Sequence, residues 1–184
     1  MAQTSPSWRS LYKLPVEKRT ADLQYRVVRG VKATNRYRAP GSRGEECLFC
    51  SQNETLAHLS VQCPRLSALF QWLKSCFQGF GELFSLGLFI FGPKYSAKKK
   101  NVHTLLNFLP GSAKLAIWLT WKNQAQNAGS VELVPVLKGL IQARLRVEHS
   151  YYRLTNNVLA FCKLWGVGGV FCSVGEEEEL IVNF

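Results

Sequence analysis

The sequence predicts a mainly α-helical protein in which a small cysteine-containing knuckle precedes a helical C-terminal region that ends in a short β-hairpin. Leucines and valines recur three and four residues apart along most of the chain, a spacing typical of helices with one buried face. Between residues 165 and 184, valines and phenylalanines are interspersed with glycines, which favours short strands. Of the 184 residues, 47% are apolar and 19% charged, so the chain can bury a core and is not disordered throughout.

The first long helix is predicted over residues 17–32. Leu23, Val27 and Val31 fall four residues apart and are expected to face inward. Pro15 stands just before this segment, where the first turn of a helix tolerates proline. Residues 34–46 contain one proline and two glycines and are therefore expected to form a loop.

Four more helical patterns follow the knuckle. The first contains Leu66 and Leu73 and is expected to end near Gly79. Two short patterns lie on either side of Pro110, and one long helix, or a broken pair, begins at about Val131. The inward positions predicted for that last segment are Val134, Leu137, Ile141, Leu145, Tyr152, Thr155 and Leu159.

The knuckle has the residue spacing of a metal site. Cys47, Cys50, His58 and Cys63 stand in the pattern C-x2-C-x7-H-x4-C. Structural zinc takes four ligands at tetrahedral corners, and a C-x2-C turn directs two thiolates at one point. Pro64 is preferred at a helix start, so the Cys63 thiolate is expected where the helix dipole favours negative charge. The prediction is a closed, structural Zn²⁺ site formed by these four ligands.

Three other interpretations of the knuckle are open. A C-x2-C pair also occurs in redox proteins, but there a strand precedes it, whereas a glycine-containing loop precedes Cys47. A disulfide is disfavoured because the N-terminus has no secretory signal. His58 can also be an ordinary polar residue on a helix. The remaining cysteines, which are expected to be small buried side chains, are Cys76, Cys162 and Cys172.

The chain is strongly basic. It carries 23 Lys and Arg against 12 Asp and Glu, a formal net charge of +11, which is typical of proteins that bind polyanions. The excess is largest in the first 46 residues, and the candidate nucleic-acid-binding residues there are Arg26, Arg29, Lys32, Arg36, Arg38 and Arg43. Each of them can equally be a solvated surface residue. Of the nearby aromatic residues, Trp8 and Tyr25 are expected in the core.

Catalytic motifs are not evident in the sequence. Asp22 is the single aspartate, and neither a glycine-rich phosphate loop nor a nucleophile elbow is present. Because a polymerase or nuclease centre needs several acidic metal ligands, we expect no enzymatic activity and no small-molecule substrate. The N-terminus predicts a location in the nucleus or cytoplasm rather than secretion. A membrane span is not expected, because no uninterrupted apolar run reaches the about 20 residues that a bilayer requires.

Several blocks of the chain resemble a known protein family. They are Trp8-x2-Leu11-Tyr12, Asp22-Leu23-Gln24-Tyr25-Arg26 and Cys47-x2-Cys50-x7-His58-x4-Cys63-Pro64-Arg65-Leu66. Together they look like the zinc-binding segment that follows the reverse transcriptase in polyproteins of LINE-type (non-LTR) retrotransposons, especially those of fish genomes. Much of the remainder, including residues 89–95 and 167–170, is similar to the C-terminal tail of the same polyproteins.

The resemblance implies a contact with RNA or DNA beside a polymerase, with structural zinc shaping the surface. It implies that Cys47, Cys50, His58 and Cys63 hold the metal, and the polymerase and endonuclease parts of such polyproteins are not seen in this chain. Two regions are predicted, a basic helical segment with the zinc-binding module over residues 1–75 and an apolar helical tail region over residues 76–184.

The expected function is thus non-catalytic binding of RNA or DNA by a zinc-stabilised module. The alternative is a protein-interaction or scaffold domain in which zinc is purely structural. Trp118, Trp121 and the long helix from Val131 would then dock on a polymerase, such as a reverse transcriptase polypeptide. A third hypothesis is membrane association through residues 83–92.

Overall fold

The structure, a computed structural model, describes residues 15–31, 46–93, 97–126 and 132–184. The described part of the chain is mainly helical, which confirms the predicted fold class. In chain order the helices are α1 (Lys18–Val28), α2 (Ser67–Gly79), α3 (Leu86–Phe91), α4 (Lys100–Gln126), α5 (Leu133–Leu154) and α6 (Val158–Trp165). Single helical turns lie at His58–Gln62, Pro64–Leu66, Ala97–Lys99 and Val167–Gly169, and the strands are β1 (Cys172–Val174) and β2 (Leu180–Val182).

Helix α1 ends earlier than its apolar pattern predicts. Gly30 has a φ of 69°, and the amides of Gly30 and Val31 donate to the carbonyls of Val27 and Arg26. These bonds form a Schellman motif, which turns the chain away from the helix axis. Leu23 is buried as predicted, but the prediction for Val31 is wrong, because it lies beyond this turn with 64% of its surface exposed.

Helix α4 is continuous, whereas two short helices were predicted around Pro110. Proline removes a backbone hydrogen bond and costs a helix about 3 kcal/mol. Here α4 packs against α1, α5 and α6, and its apolar residues on both sides of the proline are buried. The burial of this face offsets the lost hydrogen bond. Gly111 allows α1 to cross closely, since a Cβ at this position would overlap the amide of Gln24.

Helix α5 shows the predicted inward face over most of its length. Its buried residues are Leu133, Leu137, Ile141, Leu145 and His149. The inward predictions for Thr155 and Leu159 are wrong, because α5 ends at Leu154 and both residues are exposed. Asn156, with a φ of 50°, turns the chain into α6.

The predicted terminal β-hairpin is confirmed. Strands β1 and β2 pair antiparallel, with Cys172 opposite Val182 and Val174 opposite Leu180. The turn between them carries the exposed run 176–179, which consists of four glutamates. The hairpin lies against α6, and the Phe184 ring contacts Trp72 of α2 edge-on at a centroid distance of 5.8 Å.

One hydrophobic core joins the knuckle to the helices. It includes Cys47, Leu59 and Cys63 together with residues of α2, α4, α5 and α6. The predicted boundary between the regions 1–75 and 76–184 falls inside helix α2. The division into two regions stays a prediction. No helix in the described ranges is long and apolar enough to cross a bilayer. Within residues 83–92, Phe89 is fully buried and Leu83 is 89% exposed.

Candidate metal centre

The C-x2-C turn is shaped by backbone hydrogen bonds. Residues 46 and 53 form an antiparallel bridge, and the amide of Cys47 donates to the carbonyl of Gln52 at 2.6 Å. The amides of Cys50 and Ser51 both donate to the carbonyl of Cys47, at 3.3 and 2.8 Å. Ser51 takes a left-handed conformation with a φ of 60°. The resulting tight loop brings the thiols of Cys47 and Cys50 close to each other.

The third and fourth residues of the pattern come from a separate element. His58 opens the helical turn His58–Gln62, which has the wide π-type spacing often found at functional sites. The Thr55 hydroxyl accepts a hydrogen bond from the amide of His58 at 2.9 Å. The amide of Cys63 donates to the His58 carbonyl at 2.8 Å, and Pro64 begins the next turn. This turn therefore fixes His58 and Cys63 relative to each other.

The four donor atoms converge. All lie within 4.8 Å of one another, with 4.0 Å between the Sγ atoms of Cys47 and Cys63 and 3.2 Å between Cys50 Sγ and His58 Nε2. A tetrahedral zinc ion with ordinary bond lengths would place two sulfurs about 3.8 Å apart and a sulfur and nitrogen about 3.6 Å apart. The donor set therefore fits a metal ion after only small adjustments.

Burial makes the thiols of Cys47 and Cys63 difficult to ionise without a cation. Cys47, His58 and Cys63 are buried and Cys50 is half-buried. Burial raises the pKa of Cys47 to about 12, and the neighbouring Cys63 and Cys50 thiolates add to the effect. Burial, followed by the interactions with Cys50, also raises the pKa of Cys63. A bound cation supplies the missing positive charge, so metal binding would release protons here.

Two further contacts anchor the knuckle to the rest of the protein. Glu54 is fully buried, and its Oε2 accepts a 2.7 Å hydrogen bond from the indole Nε1 of Trp121 in α4. Arg65 Nε donates to the carbonyl of Phe49 in the C-x2-C turn at 3.2 Å. Sequence reasoning missed Glu54, since nothing in the local pattern shows that a glutamate of a polar turn is buried against an indole.

The structure describes two of the six basic residues predicted to bind nucleic acid. Arg26 in α1 and Arg29 directly after it are exposed, and the Arg29 guanidinium lies 5.9 Å from the Tyr25 ring centroid. Tyr25 is 37% exposed, so its predicted place in the core is wrong. The other four predicted positions lie outside the described residues; they are Lys32, Arg36, Arg38 and Arg43. Trp8, which was predicted in the core, also lies outside them.

The cysteines outside the knuckle mostly follow the prediction. Cys76 and Cys172 are buried, and burial raises the pKa of each to about 12. Cys162 is half-buried. Among the described residues, the quartet of the knuckle is the one group of Cys, His, Asp or Glu side chains that could hold a metal ion.

The chain has a relative among transposon proteins. It is 30% identical over 173 residues to the Transposon TX1 uncharacterized 149 kDa protein of Xenopus laevis, a match that covers 94% of this chain and 13% of that protein. No protein-family profile matches the chain, and no solved structure does so either. The chain thus spans a small part of its much longer relative, and the predicted fish-type origin stays a prediction. It is a homologue of a transposon protein, with a Cys3His cluster that can hold a metal ion.

Proposed function

We propose that the chain is a non-catalytic, zinc-stabilised nucleic-acid-binding segment of a LINE-type retrotransposon reverse transcriptase polyprotein. The observation that carries this proposal is the convergence of three thiols and one imidazole within 4.8 Å. The similarity to a transposon protein over 94% of the chain supports the retrotransposon origin.

The donor set favours zinc in a structural role. Three sulfurs and one imidazole nitrogen are typical ligands of structural Zn²⁺, and they fill all four tetrahedral positions. No position is then left for a reactive water, so the metal would stabilise the fold of the knuckle. Cys47, Cys50, His58 and Cys63 would hold it.

The charge distribution supports binding to a nucleic acid. Arg26 in the last turn of α1 and Arg29 directly after this helix are both exposed, and Arg65 is exposed beside the knuckle. The exposed run 98–100, where the turn Ala97–Lys99 leads into α4, adds three lysines, of which Lys99 pairs with Glu82. With a formal net charge of +11, these surfaces favour a polyanion whose condensed counterions are released on contact.

Metal analysis tests the first half of the proposal. Purified protein is expected to contain a single zinc ion, and Cys50→Ser should lose it or bind it far more weakly. Cys162→Ser, a change to a half-buried cysteine outside the quartet, is the matched control and should keep the zinc. Absence of zinc from the unmodified protein, even after reconstitution under reducing conditions, would contradict the site.

Binding to single-stranded RNA and DNA tests the second half. The logarithm of the binding constant is expected to fall linearly with the logarithm of salt concentration, with a slope of about −0.7 for each phosphate contact. Replacing both Arg26 and Arg29 with Gln should make this slope shallower. Binding that is undetectable or insensitive to salt would remove nucleic acid as the partner.

An exposed apolar face favours a second candidate, a protein-interaction role. Val147, Tyr151, Leu154 and Leu159 are each more than 60% exposed near the junction of α5 and α6. The two tryptophans first expected to dock are unsuitable, since Trp121 is fully buried and stacks on the half-buried Trp118. In this case Val147→Ser with Tyr151→Ser should weaken binding to a reverse transcriptase polypeptide and leave nucleic-acid binding unchanged.

A further inference from the structure

A cleft of about 370 Å³ lies beside the knuckle. Its lining includes Phe49 from the C-x2-C turn, Arg65 from the turn Pro64–Leu66, Leu69 from the start of α2, and Gln124 from the end of α4. Glu132 and Leu133 complete it at the start of α5. From this lining we infer that the cleft binds an unpaired nucleobase with an exocyclic amino group, such as cytosine. The inference rests on the proposed nucleic-acid-binding function and deepens it.

The size and apolar surfaces of the cleft suit a flat aromatic ligand. Its volume falls within the range of roughly 300–1,000 Å³ found for small-molecule sites. Leu69 and Leu133 are buried and supply an apolar floor. Phe49 is half-buried and is the aromatic residue of the lining. Stacking of a base on an aromatic ring contributes to single-strand binding for every base.

The polar residues of the cleft add selectivity for the edge of the base. Glu132 precedes the first residue of α5, and its exposed side chain makes no capping hydrogen bond to the helix. Its carboxylate can accept a hydrogen bond from an exocyclic amine, the pairing by which acidic side chains recognise cytosine N4. Gln124 adds a second polar side chain to the lining near that edge. Uracil has a carbonyl oxygen where cytosine has the amine, so it would face Glu132 unfavourably.

Arg65 supplies the charge that the phosphate requires. It is exposed and lines the same cleft, and its Nε bond to the backbone carbonyl of Phe49 holds it against the C-x2-C turn. Arginine is well suited to phosphate because its guanidinium donates several hydrogen bonds. A nucleotide would then place its base between Phe49 and Glu132 and its phosphate near Arg65.

The test compares binding of oligo(C) and oligo(U) of about ten nucleotides to the zinc-loaded full chain by fluorescence anisotropy. Oligo(C) is expected to bind roughly fivefold or more tightly than oligo(U). Glu132→Gln should bring this ratio towards one, whereas Glu176→Gln, the same change of charge on the exposed hairpin turn, should preserve it. Phe49→Leu should weaken the binding of both oligonucleotides. Zinc content and helical circular dichroism verify that each variant is folded.

The outcomes separate this inference from the proposed function. If the unmodified chain binds oligo(C) and oligo(U) equally, or Glu132→Gln changes both affinities by the same factor, the cleft does not recognise the base. Salt-dependent binding would still support the proposed function in that case. If neither oligonucleotide binds at low salt, both the proposed function and the inference are overturned.

Discussion

Lys114 is a buried basic residue in the middle of α4. Only 4% of its surface is exposed, and its Nζ donates to Gln24 Oε1 at 3.2 Å and to the Ile90 carbonyl at 3.1 Å. The Nζ atom also lies 5.1 Å from the Phe89 ring centroid. Burial lowers the pKa of Lys114 to about 7, because the charged form loses its hydration. The hydrogen bonds to neutral oxygens tie α1 and α3 to α4.

This lysine predicts a pH-dependent stability. Above about pH 7 the folded chain has released a proton that the unfolded lysine, with its ordinary pKa of 10.5, still holds. The free energy of unfolding should therefore rise between about pH 7 and 9, by up to about 1.4 kcal/mol per pH unit. At higher pH the buried thiols act in the opposite sense, because the folded chain keeps their protons and the unfolded chain loses them.

Urea unfolding of the zinc-loaded protein at several pH values within that window measures the slope. Lys114→Met should remove the rise, and Lys122→Met, a change to an exposed lysine of the same helix, should retain it. Equal slopes for the protein and its Lys114→Met variant would show that Lys114 is protonated to the same extent in the folded and the unfolded chain.

Glu54 provides a second prediction for a single residue. Glu54→Ala removes the acceptor of the buried Trp121 Nε1 hydrogen bond and should lower the free energy of unfolding by roughly 1–3 kcal/mol. Glu54→Gln retains an acceptor oxygen and should cost less. Glu176→Ala, at an exposed glutamate of the hairpin turn, should change stability by no more than about 0.5 kcal/mol. Chemical denaturation compares the three variants, and equal effects of Glu54→Ala and Glu176→Ala would contradict the role of the buried bond.

At the scale of single residues, the sequence was sufficient to predict a site whose members follow a short local spacing. The Cys and His quartet is recognisable because its members lie close along the chain and their spacing suits a single ion. Lys114 and Glu54 were not recognisable, because the burial of a charged side chain depends on helices that are distant in sequence. Their partners, Gln24 and Trp121, lie 90 and 67 residues away.

At the scale of elements, the crossing of α1 and α4 depends on Gly111. A Cβ at this position would overlap the Gln24 amide and lie 3.0 Å from Thr20 Cγ2. Gly111→Ala should therefore separate the helices and lower the free energy of unfolding by roughly 1–3 kcal/mol. Gly139→Ala in α5 is the matched control, because its new Cβ would have no atom within 4 Å apart from its chain neighbours and the nearby backbone of its own helix.

That control should act in the opposite direction. In a helix interior, alanine is more favourable than glycine by up to about 1 kcal/mol. Gly139→Ala is therefore expected to raise the melting temperature, whereas Gly111→Ala should lower it. Thermal unfolding followed by circular dichroism measures both. A stabilising Gly111→Ala would mean that the two helices are not in close contact at this point.

The same helices show how far periodicity can predict an element. The inward face of α5 from Leu137 to Leu145 follows directly from the spacing of apolar residues. The ends of helices do not, because the Schellman turn at Gly30 and the left-handed Asn156 are decided by a few local bonds. The continuity of α4 through Pro110 is decided by packing on several sides, which a one-dimensional pattern does not contain.

At the scale of the whole molecule, the knuckle and the helices share one core. The proposed ligands Cys47 and Cys63, together with Leu59, belong to the same buried cluster as Leu69 of α2 and Trp121 of α4. Metal in the knuckle would therefore stabilise the whole chain as well as its own loop. The free energy of zinc binding in small structural sites, on the order of 10–16 kcal/mol, is large compared with the stability of a typical domain.

Removal of the metal is thus expected to open the knuckle first. The buried thiols then protonate, and the amide hydrogen bonds of Cys47 and Cys63 are no longer held by a common ion. Hydrogen exchange in residues 46–66 should accelerate strongly after chelation, while amides near Ile141 in α5 remain protected by helical packing. The melting temperature should fall as well, because the opened knuckle no longer covers part of the core.

Hydrogen exchange with mass spectrometric detection, before and after chelation, measures this difference along the chain. Addition of Zn²⁺ should restore protection in the knuckle, whereas the Cys50→Ser variant should exchange rapidly there with or without chelator. Exchange that accelerates equally in the knuckle and in α5 would mean that the metal holds the entire fold. Unchanged exchange in both would mean that packing of Leu59 and the Glu54 hydrogen bond suffices to keep the knuckle closed, and the metal would then have no structural role.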